Sequence, residues 1–460
     1  MTRATAQRNS LSSKLPPGPK GRFVVGNARE LARDWMGFLT SCSRKYGDAV
    51  FFRFFNLPIC LLSHPDYIEQ VLVTNQSNFV KSRDYRVLVR VMGEGLLTAE
   101  GEVWRRQRRV VQPAFNHENI VSYGDVMVEC ATQMLDGWKD GESHDVHRDM
   151  THLTLEIVTQ SLFGTSVLDK APDVAEGLRF MMEEFTWHAN LSFVLPEFTP
   201  LPVGFRLRRG IRLLDEVFYS IINERRSNPG DSHDLLGSLL GMRHEDGSSV
   251  SDRELRDEMM TLLLAGHETT AVALSWTWYL LAQHPEVEAK LHHELREVLG
   301  ERRPTVADIP RLRYTDWVIK ESMRLYPPAW GIGRKALADF EIGDYRLPAG
   351  TTVFLMQWIV HRDARFFPEP ERFRPERWED ESMQNGNLPR FAYFPFGGGP
   401  RKCIGASFAT MEAVLLLATI ARRFRLELSP DARVEILPSL TLRPRHGIKM
   451  VVHKRIESRL

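Results

Sequence analysis

The chain has 460 residues, 43% of them apolar and 26% charged, with a formal net charge of +1. Those fractions describe a globular protein with a substantial core and exclude a disordered or low-complexity chain. A balanced charge gives no global attraction to nucleic acid or to an anionic membrane, so charged recognition has to be local. Cys42, Cys60, Cys130 and Cys403 are too few and too scattered for a disulfide framework or a Cys-x-x-Cys metal site. A reducing, cytoplasmic setting fits that usage.

Met1 to Leu15 is polar and basic, without an apolar run of signal-peptide or membrane-spanning length. It leads into Pro16-Pro17-Gly18-Pro19, and residues 1–20 read as a flexible segment ahead of one folded body over 21–460. No internal repeat is evident. Helical patterns dominate, with strand-like runs at 49–55, 59–63, 352–356 and 448–453. Residues 195–203, with three prolines, and 228–249, polar and glycine-containing, read as irregular loops. In the basic run from Trp104 to Arg109, Trp104 and Arg108 are four apart and share a helical face. Such a run is ordinarily a solvated face; Arg83, Arg86 and Arg90 have anchoring a carboxylate as one reading and facing water as the plainer one.

Ser251-Asp252-Arg253-Glu254 is a capping box, and no proline follows until Pro285, so a helix about 50 Å long is expected between them. Leu255, Met259, Leu262, Gly266, Thr269 and Ala273 fall on one face by helical spacing. Gly266 costs such a helix about 1 kcal/mol relative to alanine, which implies that something needs the space. The segment from Ala265 to Thr270 puts the carboxylate of Glu268 and the hydroxyl of Thr269 in an otherwise apolar stretch. A threonine there can bond the carbonyl one turn back and open the helix locally. A satisfied core threonine and an ion-paired glutamate are the plainer readings.

Glu321 and Arg324 are three apart on the next helical pattern, followed by Leu325-Tyr326-Pro327-Pro328 and, later, by the segment from Phe373 to Trp378. The stretch from Phe396 to Gly405 matches Phe-x-x-Gly-x-Arg-x-Cys-x-Gly, with Phe396, Gly399, Arg401, Cys403 and Gly405 at the fixed positions. Its glycines allow a sharp turn and a close approach, its amides and Arg401 favour a thiolate, and the apolar run from Ala406 reads as a buried helix starting beside it. On these grounds Cys403 is expected to be deprotonated.

The loop, the Glu268–Thr269 segment and the Glu321–Arg324 pair, in this order and spacing over nearly the whole chain, resemble the cytochrome P450 family of haem-thiolate monooxygenases. The resemblance implies a mainly α fold with a small β-rich region around a buried haem b. It implies Cys403 as the iron ligand, with Trp104, Arg108, Arg334, Phe396, Arg401 and Gly405 around the cofactor. Glu268 and Thr269 would be an acid–alcohol pair delivering protons to dioxygen, and Glu321, Arg324 and Arg377 a buried ion network locking the cysteine loop. Leu262, Ala265, Thr269, Ala329, Trp330, Ile332 and Leu440 fall in the family's substrate regions, although each reads equally as core. His361 has a propionate as one reading and an ordinary turn as the other.

The Pro-Pro-Gly-Pro hinge without a preceding anchor is similar to that of soluble bacterial members related to fatty-acid and terpenoid hydroxylases. The implied substrate is an apolar small molecule, with a fatty acid, terpenoid or steroid foremost. Residues 404–460 are too few for a flavin or iron–sulfur domain, so electrons are expected from a separate ferredoxin- or flavodoxin-type donor docking on Arg105, Arg106, Arg109 and Lys402. A monomer with no nucleic-acid partner and no membrane span is expected. A haem-thiolate peroxygenase or isomerase shares the cysteine loop but usually lacks the acid–alcohol pair. A non-catalytic haem sensor has no need of it.

Overall fold

A computed structural model describes residues 14–166, 173–174, 176–183, 185, 204–228, 234–243, 247–379 and 388–455. The helices are α1 Ala28–Arg33, α2 Trp35–Tyr46, α3 Pro65–Glu69, α4 Tyr85–Met92, α5 Gly101–Val111, α6 His117–Asp136 and α7 Val146–Phe163. They continue as α8 Phe205–Ser227, α9 Leu235–Leu240, α10 Asp252–Gln283, α11 Pro285–Leu299, α12 Arg313–Leu325, α13 Gln357–Val360 and α14 Ala406–Arg423. The loop expected over 195–203 lies outside the described residues. That expected over 228–249 contains α9, which starts where the Asp234 side chain accepts from the Gly237 amide and buries its leucines.

The principal sheet joins β1 Ala49–Phe54, β2 Leu57–Leu62, β8 Thr352–Leu355, β5 Ile332–Ala336 and β3 Phe79–Lys81, in that spatial order. Three of these are expected strands or close to them, whereas β3 and β5 are too short and polar to read in advance. Pairing of β2 with β8 is parallel and the rest antiparallel, and the register sets Lys81 opposite Arg334. A second sheet orders β4 Ser143–Asp145, β12 Lys449–Lys454 and β9 Phe424–Leu428. Two hairpins, β6 Phe340–Ile342 with β7 Tyr345–Leu347 and β10 Ile436–Pro438 with β11 Leu442–Pro444, complete the β structure described. Of the segment 1–20, residues 14–20 are described: the Pro17 carbonyl accepts from the Phe51 amide at 3.0 Å, laying the proline hinge along β1.

The capping box forms as the sequence indicates, and α10 runs 32 residues, about 48 Å, before ending ahead of Pro285. It is buried on nearly every side because α7, α8, α12 and α14 pack along it. Polar stitches fix the α7 contact: Thr154 donates to the His267 carbonyl at 2.9 Å, and His147 and Ser275 share a 3.0 Å hydrogen bond. A Cβ on Gly266 would meet Cγ2 of Val158 at 2.7 Å. The space that this glycine leaves is therefore taken by the neighbouring helix.

Gly266→Ala is expected to destabilise the fold by about 1–3 kcal/mol through overpacking, despite a propensity gain of about 1 kcal/mol. Val158→Ala in the same chain should recover most of that loss. Chemical denaturation of the two variants measures it, and a Gly266→Ala protein as stable as the parent would overturn the account.

Candidate active site

The cysteine loop folds on its own backbone: the Cys403 amide donates to the Phe396 carbonyl at 3.0 Å and the Lys402 amide to the Gly399 carbonyl at 3.1 Å. Gly397 and Gly399 have φ of 68° and 66°, the left-handed region where a side chain is strained. Gly398 is extended instead, and a Cβ there would strike the Phe391 ring at 2.2 Å. A Cβ on Gly399 would lie 1.8 Å from the Leu72 carbonyl oxygen, so the loop presses directly on its neighbours.

Cys403 precedes α14 and is enclosed by the chain, yet its surface remains accessible, the combination expected on the wall of a recess. Burial pushes its thiol above the usual range, opposed by the Gly405 amide and by the charges of Arg108 and Lys402. The expected deprotonation is therefore not supplied by the loop alone, because desolvation outweighs the nearby cations. A metal ion bound to the sulfur would supply it.

Between Leu255 and Trp278 of α10 the burial breaks at Ala265, which is exposed, and at Gly266 and Thr269, which are half-buried. Ala265 and Thr269 are one turn apart and share a face, so the opening is local. Thr269 Oγ1 donates to the Ala265 carbonyl at 2.7 Å, the back-bond anticipated for it. Glu268 leaves the helix about 100° away and is buried, its Oε1 accepting from Thr441 Oγ1 at 3.0 Å. The acid is thus held by the turn before β11, and nothing in the sequence marks Thr441 as its partner.

Cations gather at the base of the loop. Arg401 lies over the Trp104 ring at 4.3 Å, donates to the Ala99 carbonyl at 3.0 Å and pairs with Glu100. Arg108 donates to the Lys402 carbonyl at 2.8 Å and to Gln112, so Trp104 and Arg108, expected together, engage different parts of the loop. Arg334 bonds Tyr85 and its neighbour's carbonyl, and Lys81 stands opposite it in register. Burial, and then Arg401 and Arg334, push the Lys81 ammonium down to about 7, with Glu100 opposing. Asp84, close by, is pushed upward by its own burial. A half-buried surplus of positive charge of this kind fits a ligand bearing carboxylates. Lys81 was not legible in the sequence, since only strand register brings it to the arginines.

The carboxylate of Glu321 is fully buried and accepts from Arg324 Nη2 and Nε at 2.9 and 3.0 Å, Arg377 Nε at 2.8 Å, Trp378 Nε1 at 3.0 Å and the Arg374 amide at 3.1 Å. Arg324 also reaches the carbonyls of His361, Pro370 and Arg372. His361 is fully buried, and its Nε2 accepts from the Phe394 amide at 3.0 Å. It sits in the turn expected of it, buried rather than facing solvent. It connects the ion network to the approach of the cysteine loop, where the Phe394 carbonyl accepts from the Gly397 amide at 2.9 Å.

Among the expected pocket residues, Ile332 reaches the loop, its Cδ1 lying 3.4 Å from where a Gly397 Cβ would be. Ala329 is half-buried, whereas Leu262 and Leu440 belong to the main core and Trp330 turns to the Ser439 carbonyl at 3.0 Å. Phe396 packs against the same main core, beneath the loop. Of the basic docking residues, Arg109 and Lys402 are exposed and Arg105 pairs with Glu102. Arg106 pairs with Glu254 at 3.5 Å across partly exposed side chains and lines a small cavity with Gln107 and Glu258. Arg90 is exposed, while Arg83 and Arg86 are half-buried and partnered.

The cytochrome P450 family model matches residues 16–452, which contain every part of this arrangement. The chain belongs to the cytochrome P450 family. Cyclooctatin synthase of Streptomyces melanosporofaciens is 37% identical over 92% of each chain. Cyclooctat-9-en-7-ol 5-monooxygenase of the same organism is 36% identical over 88% of each, and pentalenene oxygenase of Streptomyces avermitilis is 34% identical over 89% of this chain and 91% of its own. This P450 is accordingly a monooxygenase with a haem-iron cofactor, and the thiol, the cationic surplus and the open helix face fit that group. Among the described residues no helix is long and apolar enough to cross a membrane.

Glu321→Ala strands two buried arginines and should cost about 3–5 kcal/mol, with haem incorporation lost; urea unfolding and haem content measure it, and a fully loaded, equally stable variant contradicts the role. His361 has its pKa held well below 6.5, by burial first and then by Arg324. The unfolded chain therefore takes up a proton that the folded one refuses, and stability falls as pH drops below 6.5. His361→Gln, which can still accept the Phe394 amide, should remove about 1.4 kcal/mol per pH unit from that slope; an unaltered slope counts against it.

Proposed function

We propose that this P450 takes electrons from a separate ferredoxin- or flavodoxin-type protein and inserts one atom of dioxygen into a C–H or C=C bond of an apolar small molecule. The other atom leaves as water, with two electrons and two protons consumed. The juxtaposition of the Cys403 thiol with the half-buried cations Arg401, on the same loop, and Arg108, which donates to that loop from α5, carries the reading. A terpenoid is the favoured substrate, ahead of a fatty acid or steroid, because the relatives' names include pentalenene and cyclooctat-9-en-7-ol.

Cys403 Sγ would hold the iron, and Arg108, Arg334, Arg401 and Lys81 would receive the cofactor's carboxylates, with Trp104, Phe396 and Gly405 shaping the loop around it. When bound, haem b supplies the metal that reduces dioxygen and transfers oxygen. Thr269 Oγ1 carries an exchangeable proton on the open face of α10, and Glu268, gripped by Thr441, is the acid that replenishes it. Ala265, Thr269 and Ile332 would bound the substrate side, with Ala329 beside them. The side chains of Ala265, Ala329 and Ile332 are apolar, so they would select by shape and exclude water. Exposed Arg109 and Lys402 would form part of the face that receives an acidic electron donor. A single catalytic chain over 21–460, acting in the cytoplasm, completes the proposal.

The reduced carbon monoxide adduct should absorb near 450 nm, about the value thiolate ligation gives, and its absence from intact, haem-loaded protein would defeat the assignment. With reduced ferredoxin, dioxygen and a terpenoid panel, Thr269→Ala should retain haem while coupling of electrons to product falls at least about tenfold in favour of peroxide. Unchanged coupling would remove Thr269 from proton delivery.

A further inference from the structure

An acid that replenishes Thr269 must itself be resupplied with protons, and Glu268 is 5% exposed, about 100° around α10 from the open face. Its side of the helix leads to a polar group nearer solvent. Ser275 lies seven residues on, two turns along the same face of α10, and shares its 3.0 Å hydrogen bond with Nδ1 of His147 at the start of α7. With Thr154 at the His267 carbonyl, the two helices run antiparallel, so the stretch from Glu268 to Ser275 faces the stretch from His147 to Thr154.

Ser275 settles the tautomer of that imidazole. Its hydroxyl proton goes to the Ala271 carbonyl at 2.6 Å, so its oxygen accepts from the Nδ1–H of His147. Nε2 is left with its lone pair, on a residue that is half-buried and so within reach of solvent. From α10 the ring is faced by Glu268 and His267, from β4 by Asp145 and from β11 by Arg443, two residues beyond the Thr441 that grips Glu268. Burial lowers the imidazole below its ordinary 6.5, and the charge of Glu268 is the first to oppose it, ahead of Asp145. His267, next to Glu268 in the chain, is not equivalent: it is 1% exposed, and its Nδ1 donates to the Leu263 carbonyl at 2.8 Å.

We infer that His147 is a positioning residue for proton supply, acting through Glu268 by carrying protons to it from solvent along the contact between α7 and α10. The inference rests on the acid role proposed above for Glu268. A solvent proton binds Nε2 and gives imidazolium; one proton then passes, with water bridging the gap, to a Glu268 carboxylate oxygen. That leaves a neutral imidazole and a carboxylic acid, with no electrons moved. A lowered imidazole pKa suits the task, since the ring gives its proton up readily near neutral pH.

His147→Asn tests it, because the asparagine amide can still donate to Ser275 but does not titrate. Haem content and melting temperature should match the parent, while coupling of electrons to product at pH 7 should fall at least about threefold. The parent's coupling should also break with pH at the His147 midpoint, and the variant's should lack that break. The midpoint comes from histidine carbon resonances of the diamagnetic reduced carbon monoxide adduct, the ring being assigned by its loss in His147→Asn. Glu268→Gln should lower that midpoint by about half a pH unit or more, since it removes the opposing charge. A midpoint unmoved by Glu268→Gln overturns the inference, as does an asparagine variant with the parent's profile when Thr269→Ala is uncoupled; both leave the roles of Glu268 and Thr269 standing. Full coupling in Thr269→Ala would defeat the underlying reading and this inference with it.

Discussion

A carboxylate stripped of water must be surrounded by donors, and most of what orders this P450 around its cysteine follows from how Glu321 meets that demand. Its oxygens accept from two arginines, an indole and a backbone amide, drawn from α12 and from residues 374–378. Each arginine then needs further acceptors, and they take main-chain carbonyls of the segment between His361 and Arg372. Buried charges of this kind are costly singly and stable only as a completed set. A stretch with little regular secondary structure is thereby fixed as firmly as a helix. His361 passes that order to Phe394, and Phe394 to the glycine turn ahead of Cys403.

On this rigid base the site contains groups that are uncomfortable by themselves. The Cys403 thiol is pushed up by burial, and the Lys81 ammonium is pushed down by burial and by neighbouring guanidinium groups. A bound cation would relieve the first, and bound carboxylates the second. A single ligand carrying both couples cofactor affinity to fold stability, since whatever binds the folded state preferentially also stabilises it. α10 makes a provision of its own. In its middle, burial is interrupted at Ala265, Gly266 and the back-bonded Thr269, while the acid beside them is turned into a separate polar contact with Thr441.

Much of this was legible in the chain because its determinants are local. The capping box, the proline that ends α10, the apolar runs of the first strands and the spacing of Glu321 and Arg324 act over a few residues, where composition, periodicity and side-chain reach suffice. The cysteine loop was legible for the same reason, its glycines being required by backbone angle at 397 and 399. Other readings depended on what lies opposite. Gly266 implied that something needs its space, and the space belongs to Val158; Leu262, which reads equally as pocket or core, lies in the main core; Arg106, in a run that reads as a solvated face, pairs with Glu254.

By itself, then, the sequence determined the family, the order of the elements and the residue types at the cysteine loop and in the middle of α10. Chain-local geometry and the number of matched positions leave little freedom there. Tertiary structure decided the partners: Lys81 beside Arg334 through strand register, Thr441 on Glu268, and His361 under Phe394. These contacts join residues far apart in the chain, and no spacing encodes them. Their energies come from burial and from satisfying stranded polar groups, which exist only once the chain has closed around them.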